Sequence, residues 1–270
     1  MKNNKIILDA MKFSFSSVNA YDTCPKMFYL KYLKGTAETD NAYAQWGRLV
    51  HKMYEIYFSS EITKKELIEK YIKMYDEYVT ELFPFDLLHN ISNSYFTKGI
   101  DAINNIPYIE DEVVATEQYF DIEIGGYPTI GYIDMILEDA NHDYIIVDHK
   151  SRSKFKNKQE RRNYFRQLYL YSAYIKQEFG KYPKTLKFNL FRENKIVEEP
   201  FDKDEYNKTI FWYTSTIDSI YNDTLFKDKF EMDENNNIDS YGLIRDDFFC
   251  KEICGVERTH LQEIEEKKGW

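Results

Sequence analysis

The chain has few cysteines and no long apolar run. Three cysteines among 270 residues, Cys24, Cys250 and Cys254, are too few for a secreted scaffold held together by disulfides. No stretch of about eighteen apolar residues exists to cross a membrane, and the N-terminus MKNNKIILDAMKFSF lacks the apolar block and cleavage site of a signal peptide. We therefore expect a protein of the bacterial cytoplasm, or of the host cytoplasm if a phage encodes it, with no membrane partner.

The composition is that of a folded protein without a motor. Hydrophobic residues make up 43% of the chain, which is enough to build the core of one large domain or two modest ones. The sequence shows no internal repeat and no phosphate-binding loop of the GxxxxGK[ST] kind. A nucleotide-driven activity is therefore not indicated.

One basic strip stands out in an acidic chain. The net charge of -10 argues at first sight against nucleic acid, because phosphate binding needs clustered Lys and Arg. The segment HKSRSKFKNKQERRNYFR, residues 149–166, nevertheless holds eight Lys or Arg and one Glu. The strip is either an ordinary solvated loop or a surface that binds a polyanion.

Apolar spacing predicts that the first hundred residues are mostly helical. Residues 14–34 open with serines that can cap a helix, and the helix breaks or restarts near Pro25. Segments 41–59, 63–83 and 86–105 show similar helical spacing.

The spacing then changes to that of strands. Segments 113–124, 127–139 and 143–150 are joined by short links and predict an antiparallel meander. The elements predicted after it are a helix over 161–179, a strand over 184–192, a helix over 202–222 and a loop over 233–240.

The last strand of the meander, DYIIVDHK, ends in charged residues. Residues two apart in a strand face the same side, so Asp148 and Lys150 project together. Asp134 lies on the neighbouring strand, and Glu117 on the strand before it adds a third acid. Acids packed so closely repel one another unless a hard divalent cation such as Mg²⁺ or Mn²⁺ binds between them.

An ion held in this way keeps open positions that bind a phosphate oxygen and activate a water molecule. Lys150 can orient that water or stabilise negative charge in the transition state. This chemistry is phosphodiester hydrolysis. The alternative is a plain salt bridge between Asp148 and Lys150 at a sheet edge, with no function.

GYID followed by IIVDHK resembles the PD-(D/E)XK nuclease superfamily. Three further motifs narrow the resemblance to the branch of the RecB and AddB nuclease domains, over nearly the whole chain. They are FSFSSVNAYDTCPKMFYLKYL, GRLVHKMYE and QLYLYSAY. One departure is Ile133, where the motif has proline. The resemblance implies a mixed α/β fold with a restriction-endonuclease-like core of helix, three strands, helix and strand. We expect a single nuclease domain over 1–270, with a helical part (1–110), a catalytic sheet core (111–200) and a C-terminal helix with a cysteine-containing tail (201–270).

The resemblance also implies roles for individual residues. His51, Asp134 and Asp148 would bind the metal with the backbone carbonyl of His149, and Lys150 would be the catalytic lysine. The other residues that the family's motifs assign to catalysis or to steadying the site are Glu117, Gln167 and Tyr171, and Gly47 is the motif's glycine. Taken alone, His51, Gln167 and Tyr171 would be ordinary helix residues.

With DNA as the implied substrate, the basic strip is expected to track phosphates while aromatic side chains stack on bases. The DNA-binding candidates are Arg152, Lys154, Lys156, Lys158, Arg161, Arg162 and Arg166.

The cysteines match part of a metal site. Relatives in this branch often hold a 4Fe-4S cluster with one cysteine before the core and three after it. Cys24 matches the early ligand, and Cys250 and Cys254 match two of the late ones, but the fourth cysteine is missing. His260 lies near its place, and three cysteines with one histidine would also suit Zn²⁺. The alternative is a set of buried thiols.

The leading hypothesis is a metal-dependent DNA nuclease, more an exonuclease on single-stranded DNA or DNA ends than an endonuclease. It would work alone or beside a separate helicase, in recombination, repair or phage replication. One alternative is a non-catalytic DNA-binding subunit with the same fold, against which the intact Asp134, Asp148 and Lys150 argue. The other is a restriction-type endonuclease, which the lack of a separate recognition domain disfavours.

Overall fold

Helices occupy most of the first hundred residues, as predicted. The computed structural model describes residues 2–223 and 254–255. The elements before the sheet are α1 (Lys2–Ala10), α2 (Phe15–Thr23), α3 (Pro25–Phe28), a π-helical turn (Tyr29–Lys34), α4 (Ala42–Ser59), α5 (Lys64–Tyr78) and α6 (Ile91–Asn104). The break at Pro25 is confirmed, because Pro25 opens α3, where its missing N–H is not needed. Among the described residues, none of the helices combines the length and hydropathy that crossing a bilayer requires.

The helix boundaries differ from the prediction between α5 and α6, and α1 was not predicted. The segment from 79 to 90 is a loop, although its spacing predicted helix up to 83 and again from 86. Pro84 interrupts any helix there because its ring excludes an intrahelical hydrogen bond. The Asn90 side chain then accepts a hydrogen bond from the Asn93 amide and caps α6. Apolar side chains of this loop, including Leu82 and Phe85, are exposed.

A five-stranded mixed sheet follows the helices. Its strands are β1 (Glu112–Ile124), β2 (Tyr127–Glu138), β3 (Tyr144–Lys150), β4 (Thr185–Leu190) and β5 (Lys195–Pro200), in the order β1-β2-β3-β4-β5. β2 pairs antiparallel with β3, β3 parallel with β4, and β4 antiparallel with β5. The three predicted strands and β4 are confirmed, whereas β5 was not predicted.

The parallel pairing of β3 with β4 depends on α7 (Lys158–Phe179), which connects them. α7 begins at the Asn157 cap and ends at Gly180, whose φ of 76° suits a left-handed helix end. Its buried side chains, such as Leu168 and Ile175, pack with Ile146 of β3. Each such side chain contributes about 1.5–3 kcal/mol when fully buried. A final helix, α8 (Lys203–Asn222), follows β5.

A second apolar cluster holds α4 in place. Trp46 and Tyr54 of α4 pack with Tyr71 of α5, Ala102 of α6 and Phe191 after β4, and all five are fully buried or nearly so. This packing fixes the rotation of α4, the helix that carries His51.

The chain forms two compact units. One comprises the described residues of Met1–Asn41, Glu123–Ile130 and Ile210–Trp270, and the other comprises Ala42–Ile122 and Gly131–Thr209. In the first unit, Phe13 forms a parallel bridge with Thr129, whose hydroxyl oxygen lies 3.0 Å from that of Tyr213. The predicted active-site residues all lie in the second unit. The single domain over 1–270 stays a prediction.

Candidate metal centre

Three strands and one helix supply the charged side chains of the site. The antiparallel pairing of β2 with β3 brings Asp134 beside the end of β3, where Asp148 and Lys150 lie. β1, the neighbour of β2, carries Glu117, and α4 carries His51. Residues from four separate segments therefore meet within one unit.

His51, Glu117 and Asp134 form a tight group. Nε2 of His51 lies 2.8 Å from Oδ2 of Asp134, and Nδ1 lies 3.5 Å from Oε1 of Glu117. One potential ligand atom from each residue lies within 4.8 Å of the other two. Two carboxylates and an imidazole at this spacing can hold a divalent metal ion. Glu117, which the sequence placed among the catalytic acids, thus lies with the candidate ligands.

The backbone of Glu117 is unusual for a strand. Its φ is 49°, in the left-handed region, although the residue lies inside β1. This region costs a residue with a Cβ about 1–2 kcal/mol. A local irregularity of this kind breaks the alternation of side chains along a strand and redirects one of them. The redirected Glu117 carboxylate faces His51, and such strain is common at functional sites.

Asp148 is deeply buried beside Lys150. It is 1% exposed, and Nζ of Lys150 lies 2.7 Å from its Oδ2. Burial raises the pKa of Asp148; the Lys150 charge opposes this only in part, and the Asp134 charge adds to it. A carboxylate oxygen has more than one lone pair, so the oxygen that contacts Lys150 can also coordinate a hard cation.

The charge of His51 balances these acids. Burial lowers the pKa of His51, but the hydrogen bond and charge of Asp134, with the charges of Glu117 and Asp148, raise it to about 9. Burial and the charge of Asp134 raise the pKa of Glu117. An imidazolium thus offsets negative charge where a divalent metal would, and the residues present fit such an ion.

His149 contributes its main chain to the site and its side chain to the core. Its backbone N–H donates a hydrogen bond to Oδ2 of Asp134 at 2.6 Å. Its buried ring lies 4.7 Å from the ring of Tyr54, and the Asn189 amide lies 3.1 Å from its Nδ1. Burial lowers the pKa of His149 to about 4, so the ring is neutral at pH 7. Metal binding by its backbone carbonyl stays a prediction.

The predicted glutamine and tyrosine meet on α7. Nε2 of Gln167 donates a hydrogen bond to the Tyr171 hydroxyl at 2.7 Å. Burial raises the pKa of Tyr171, and the negative charge of Asp148 acts in the same direction. The hydroxyl therefore lies within the field of the site's acids.

Gly47 allows a close approach between α4 and the chain just after β3. A Cβ at Gly47 would lie 3.0 Å from Oγ and 3.1 Å from Cβ of Ser151. Ser151 directly follows Lys150, so this glycine lets the end of β3 lie against the helix that carries His51.

Three arginines of the basic strip form ion pairs with acids of the same chain. These ion pairs are Arg152–Glu160 at 2.9 Å, Arg161–Glu199 at 3.1 Å and Arg162–Glu205 at 2.8 Å. Lys154, Lys156 and Lys158 are exposed. A cleft of about 520 Å³ is lined by Lys158, Arg161, Arg162 and Arg166, among others. Paired arginines keep further N–H donors for phosphates, and DNA binding by the strip stays a prediction.

Part of the predicted cysteine site can be described. Cys24 is half-buried at the start of α3, and Cys254 is buried. The carbonyl oxygen of Gly255, the residue after Cys254, accepts hydrogen bonds from the backbone N–H and hydroxyl of Thr39 at 3.2 Å and 2.7 Å. The other two candidate ligands lie outside the described residues: Cys250 and His260.

Asn189 is a neighbour of the site that the sequence patterns do not predict. It lies opposite His149 in the parallel register of β3 and β4, and it is 2% exposed. The one available signal is a single amide inside the largely apolar run KTLKFNLFR, because a buried polar side chain normally has a partner.

Comparison with known proteins agrees with this geometry. A family model described as the PD-(D/E)XK nuclease superfamily matches residues 12–254, which include every described site residue. No curated protein is found to match the chain. The five-stranded mixed sheet with its helices agrees with the restriction-endonuclease-like core that the motifs predicted. By this match over most of its length, the chain belongs to the PD-(D/E)XK nuclease superfamily.

Proposed function

We propose that this protein is a Mg²⁺- or Mn²⁺-dependent deoxyribonuclease that hydrolyses phosphodiester bonds. The observation that carries the proposal is the meeting of His51, Glu117 and Asp134 within 4.8 Å. A salt bridge without function would explain Asp148 and Lys150 alone. It would not explain a strained glutamate and a histidine held between two carboxylates.

The metal ligands would come from four segments of the chain, α4, β1, β2 and β3. Carboxylate oxygens of Glu117, Asp134 and Asp148 would hold the ion, with His51 and the backbone carbonyl of His149. When bound, a divalent metal polarises a phosphate oxygen and lowers the pKa of a water molecule. The N–H of His149 fixes the Asp134 carboxylate by its 2.6 Å hydrogen bond, so this ligand is already oriented.

Lys150 and the α7 pair would act on the substrate. The Lys150 ammonium lies beside the ligands, where it can orient the attacking water or stabilise the negative charge that develops on phosphate oxygens. Gln167 and Tyr171 hold each other by a hydrogen bond and can present the remaining amide hydrogen to a phosphate.

We infer that the substrate is single-stranded DNA or a DNA end, as for the RecB- and AddB-like branch that the motifs resemble. The order His51, Glu117, Asp134, Asp148-x-Lys150 supports this branch, with the Gln–Tyr pair of α7 following it. Exposed lysines of the basic strip would track phosphates. The protein would act alone or beside a separate helicase in recombination, repair or phage replication.

We also infer that Cys24, Cys250, Cys254 and His260 hold a 4Fe-4S cluster or Zn²⁺. The bonding of Gly255 to Thr39 supports this site, because it brings the segment of Cys254 to the N-terminal region. Iron and zinc contents and the visible spectrum of anaerobically purified protein test the inference. A colourless, zinc-free preparation that still folds would contradict it.

Cleavage assays test the nuclease. Labelled linear and circular DNA, single- and double-stranded, is incubated with Mg²⁺ or Mn²⁺ and with wild type, Asp134→Asn or Lys150→Ala. Both variants are expected to lose at least about 10²-fold in rate, since each removes a group that acts on the transition state. Lys184→Ala, which breaks an exposed ion pair with Asp139, is the matched control and should cleave normally.

The response to each DNA substrate distinguishes an exonuclease, an endonuclease and a non-catalytic DNA-binding subunit. Degradation of linear but not circular DNA would establish an exonuclease, whereas cutting of circles would establish an endonuclease. DNA binding with no cleavage under either metal would refute the proposal and favour the non-catalytic DNA-binding subunit.

A further inference from the structure

Two tyrosines form an exposed aromatic pair on the sheet. Tyr119 of β1 is 44% exposed and Tyr132 of β2 is 57% exposed. Their ring centroids lie 5.1 Å apart at an interplanar angle of 52°. Exposed aromatic rings present part of their faces to a ligand.

The pair adjoins the metal centre. Tyr132 precedes Asp134 by two residues in β2, and Tyr119 follows Glu117 by two residues in β1. Successive side chains of a regular strand lie on opposite faces, although the irregular backbone at Glu117 interrupts this alternation. Ile133 and Phe120, the neighbours of Tyr132 and Tyr119, are both buried with the α7 side chains, so the two tyrosines lie on the other face of the sheet.

The spacing corresponds to one nucleotide. Two strand residues span about 6–7 Å, which is of the order of one step along an extended nucleic-acid strand. A phosphate held by a metal ion at Asp134 and Glu117 would therefore place a neighbouring base near Tyr132 and Tyr119.

We propose that Tyr119 and Tyr132 form a stacking platform for the nucleobase next to the scissile phosphate of single-stranded DNA. This inference rests on the proposed nuclease function, and it adds a preference for single-stranded over double-stranded DNA. A base inside a duplex is already paired and stacked, so only an unpaired nucleotide can stack here without first being extruded. The platform tolerates any sequence, because every base has a π-face.

Binding measured without cleavage tests the platform. Fluorescence anisotropy follows a single-stranded oligonucleotide in Ca²⁺ instead of Mg²⁺. The Tyr119→Leu/Tyr132→Leu variant is expected to bind roughly 5- to 150-fold more weakly, the effect of losing stacking on one base. The Tyr119→Phe/Tyr132→Phe variant should restore the affinity, since it keeps the rings. Phe85→Ala, which removes an exposed aromatic ring from the α5–α6 loop, is the control and should bind as wild type does.

An oligonucleotide with abasic sites separates base stacking from other contacts. On this strand, wild type and the leucine variant should bind equally, because no base remains to stack. Equal affinity of the two proteins for the intact strand would overturn the platform. A defect that persists on the abasic strand would also overturn it and assign the tyrosines to contacts with the DNA backbone.

Different results would refute the stacking platform and the nuclease function. Tyrosine-dependent binding without cleavage in Mg²⁺ or Mn²⁺ would keep the platform and refute hydrolysis. Cleavage that is indifferent to both tyrosines would keep the nuclease and refute the platform. Thermal melting of each variant confirms folding, which these surface changes should leave intact.

Discussion

A methyl group added at Gly131 is expected to disturb the packing behind the candidate site. A Cβ at this position in β2 would lie 2.5 Å from Cζ and 2.7 Å from Cε1 of Phe120, and 3.3 Å from Cε1 of Tyr171. Carbon atoms in contact are normally about 3.5–4.0 Å apart. The Phe120 ring must therefore shift by roughly 1 Å, and Tyr171 by a few tenths of an ångström.

Phe120 has little room for this shift. It is 2% exposed, and its ring packs against Tyr171 at 5.5 Å and Tyr174 at 5.4 Å. Overfilling a close-packed core usually costs about 1–3 kcal/mol, and Gly131→Ala should lose this amount of unfolding free energy. The rate of cleavage should also fall, because Tyr171 carries the hydrogen bond from Gln167.

A double-mutant cycle measures the effect. Urea unfolding is compared for wild type, Gly131→Ala, Phe120→Leu and the double variant. Phe120→Leu opens space for the added methyl, so Gly131→Ala should cost less in that background, with a coupling energy of about 1 kcal/mol or more. Additive effects, or a Gly131→Ala variant as stable as wild type, would refute the steric reasoning.

Two further changes test the charges of the site. Lys150→Met should lower the unfolding free energy of the metal-free protein by about 3–5 kcal/mol at pH 8, because Asp148 stays buried without its partner. Urea unfolding in EDTA measures this change. An unchanged urea midpoint would contradict the prediction. The native His51 pKa of about 9 lies above its ordinary 6.5, so the stability from protonated His51 is complete below pH 6.5 and lost as pH rises through 9. The unfolding free energy of the metal-free protein should fall by about 3 kcal/mol between pH 6.5 and 9. His51→Asn should make the unfolding free energy less dependent on pH in this range. Equal slopes of unfolding free energy against pH for both proteins would count against the ion pair.

Most of the sheet could be predicted because alternation and short turns are local signals. β5 was missed because KIVEEP is short, charged and largely exposed, as an edge strand is. The parallel pairing of β3 with β4 is not a local property either. It follows from packing α7 across the sheet, which brings β4 back in the same direction as β3.

The sequence pointed to residues that the structure brings together, but it did not show how their side chains are placed. Charge at the end of an apolar strand pointed to Asp148 and Lys150, whereas His51 followed only from the family's motif. The left-handed backbone of Glu117 left no mark in the sequence, because surrounding contacts impose it on a residue that does not favour it. This conformation brings the Glu117 carboxylate beside the candidate metal ligands His51 and Asp134.

The balance of charges explains how the candidate site can fold without a metal ion. Burial raises the pKa of Asp148 and of Glu117, so each acid holds its proton to a higher pH than in water. His51 remains protonated through its contact with Asp134. Metal ligands must be deprotonated, so binding a cation has to release these protons. A divalent metal bound here would therefore replace positive charge that the folded protein already holds at this position, and we expect its affinity to increase with pH.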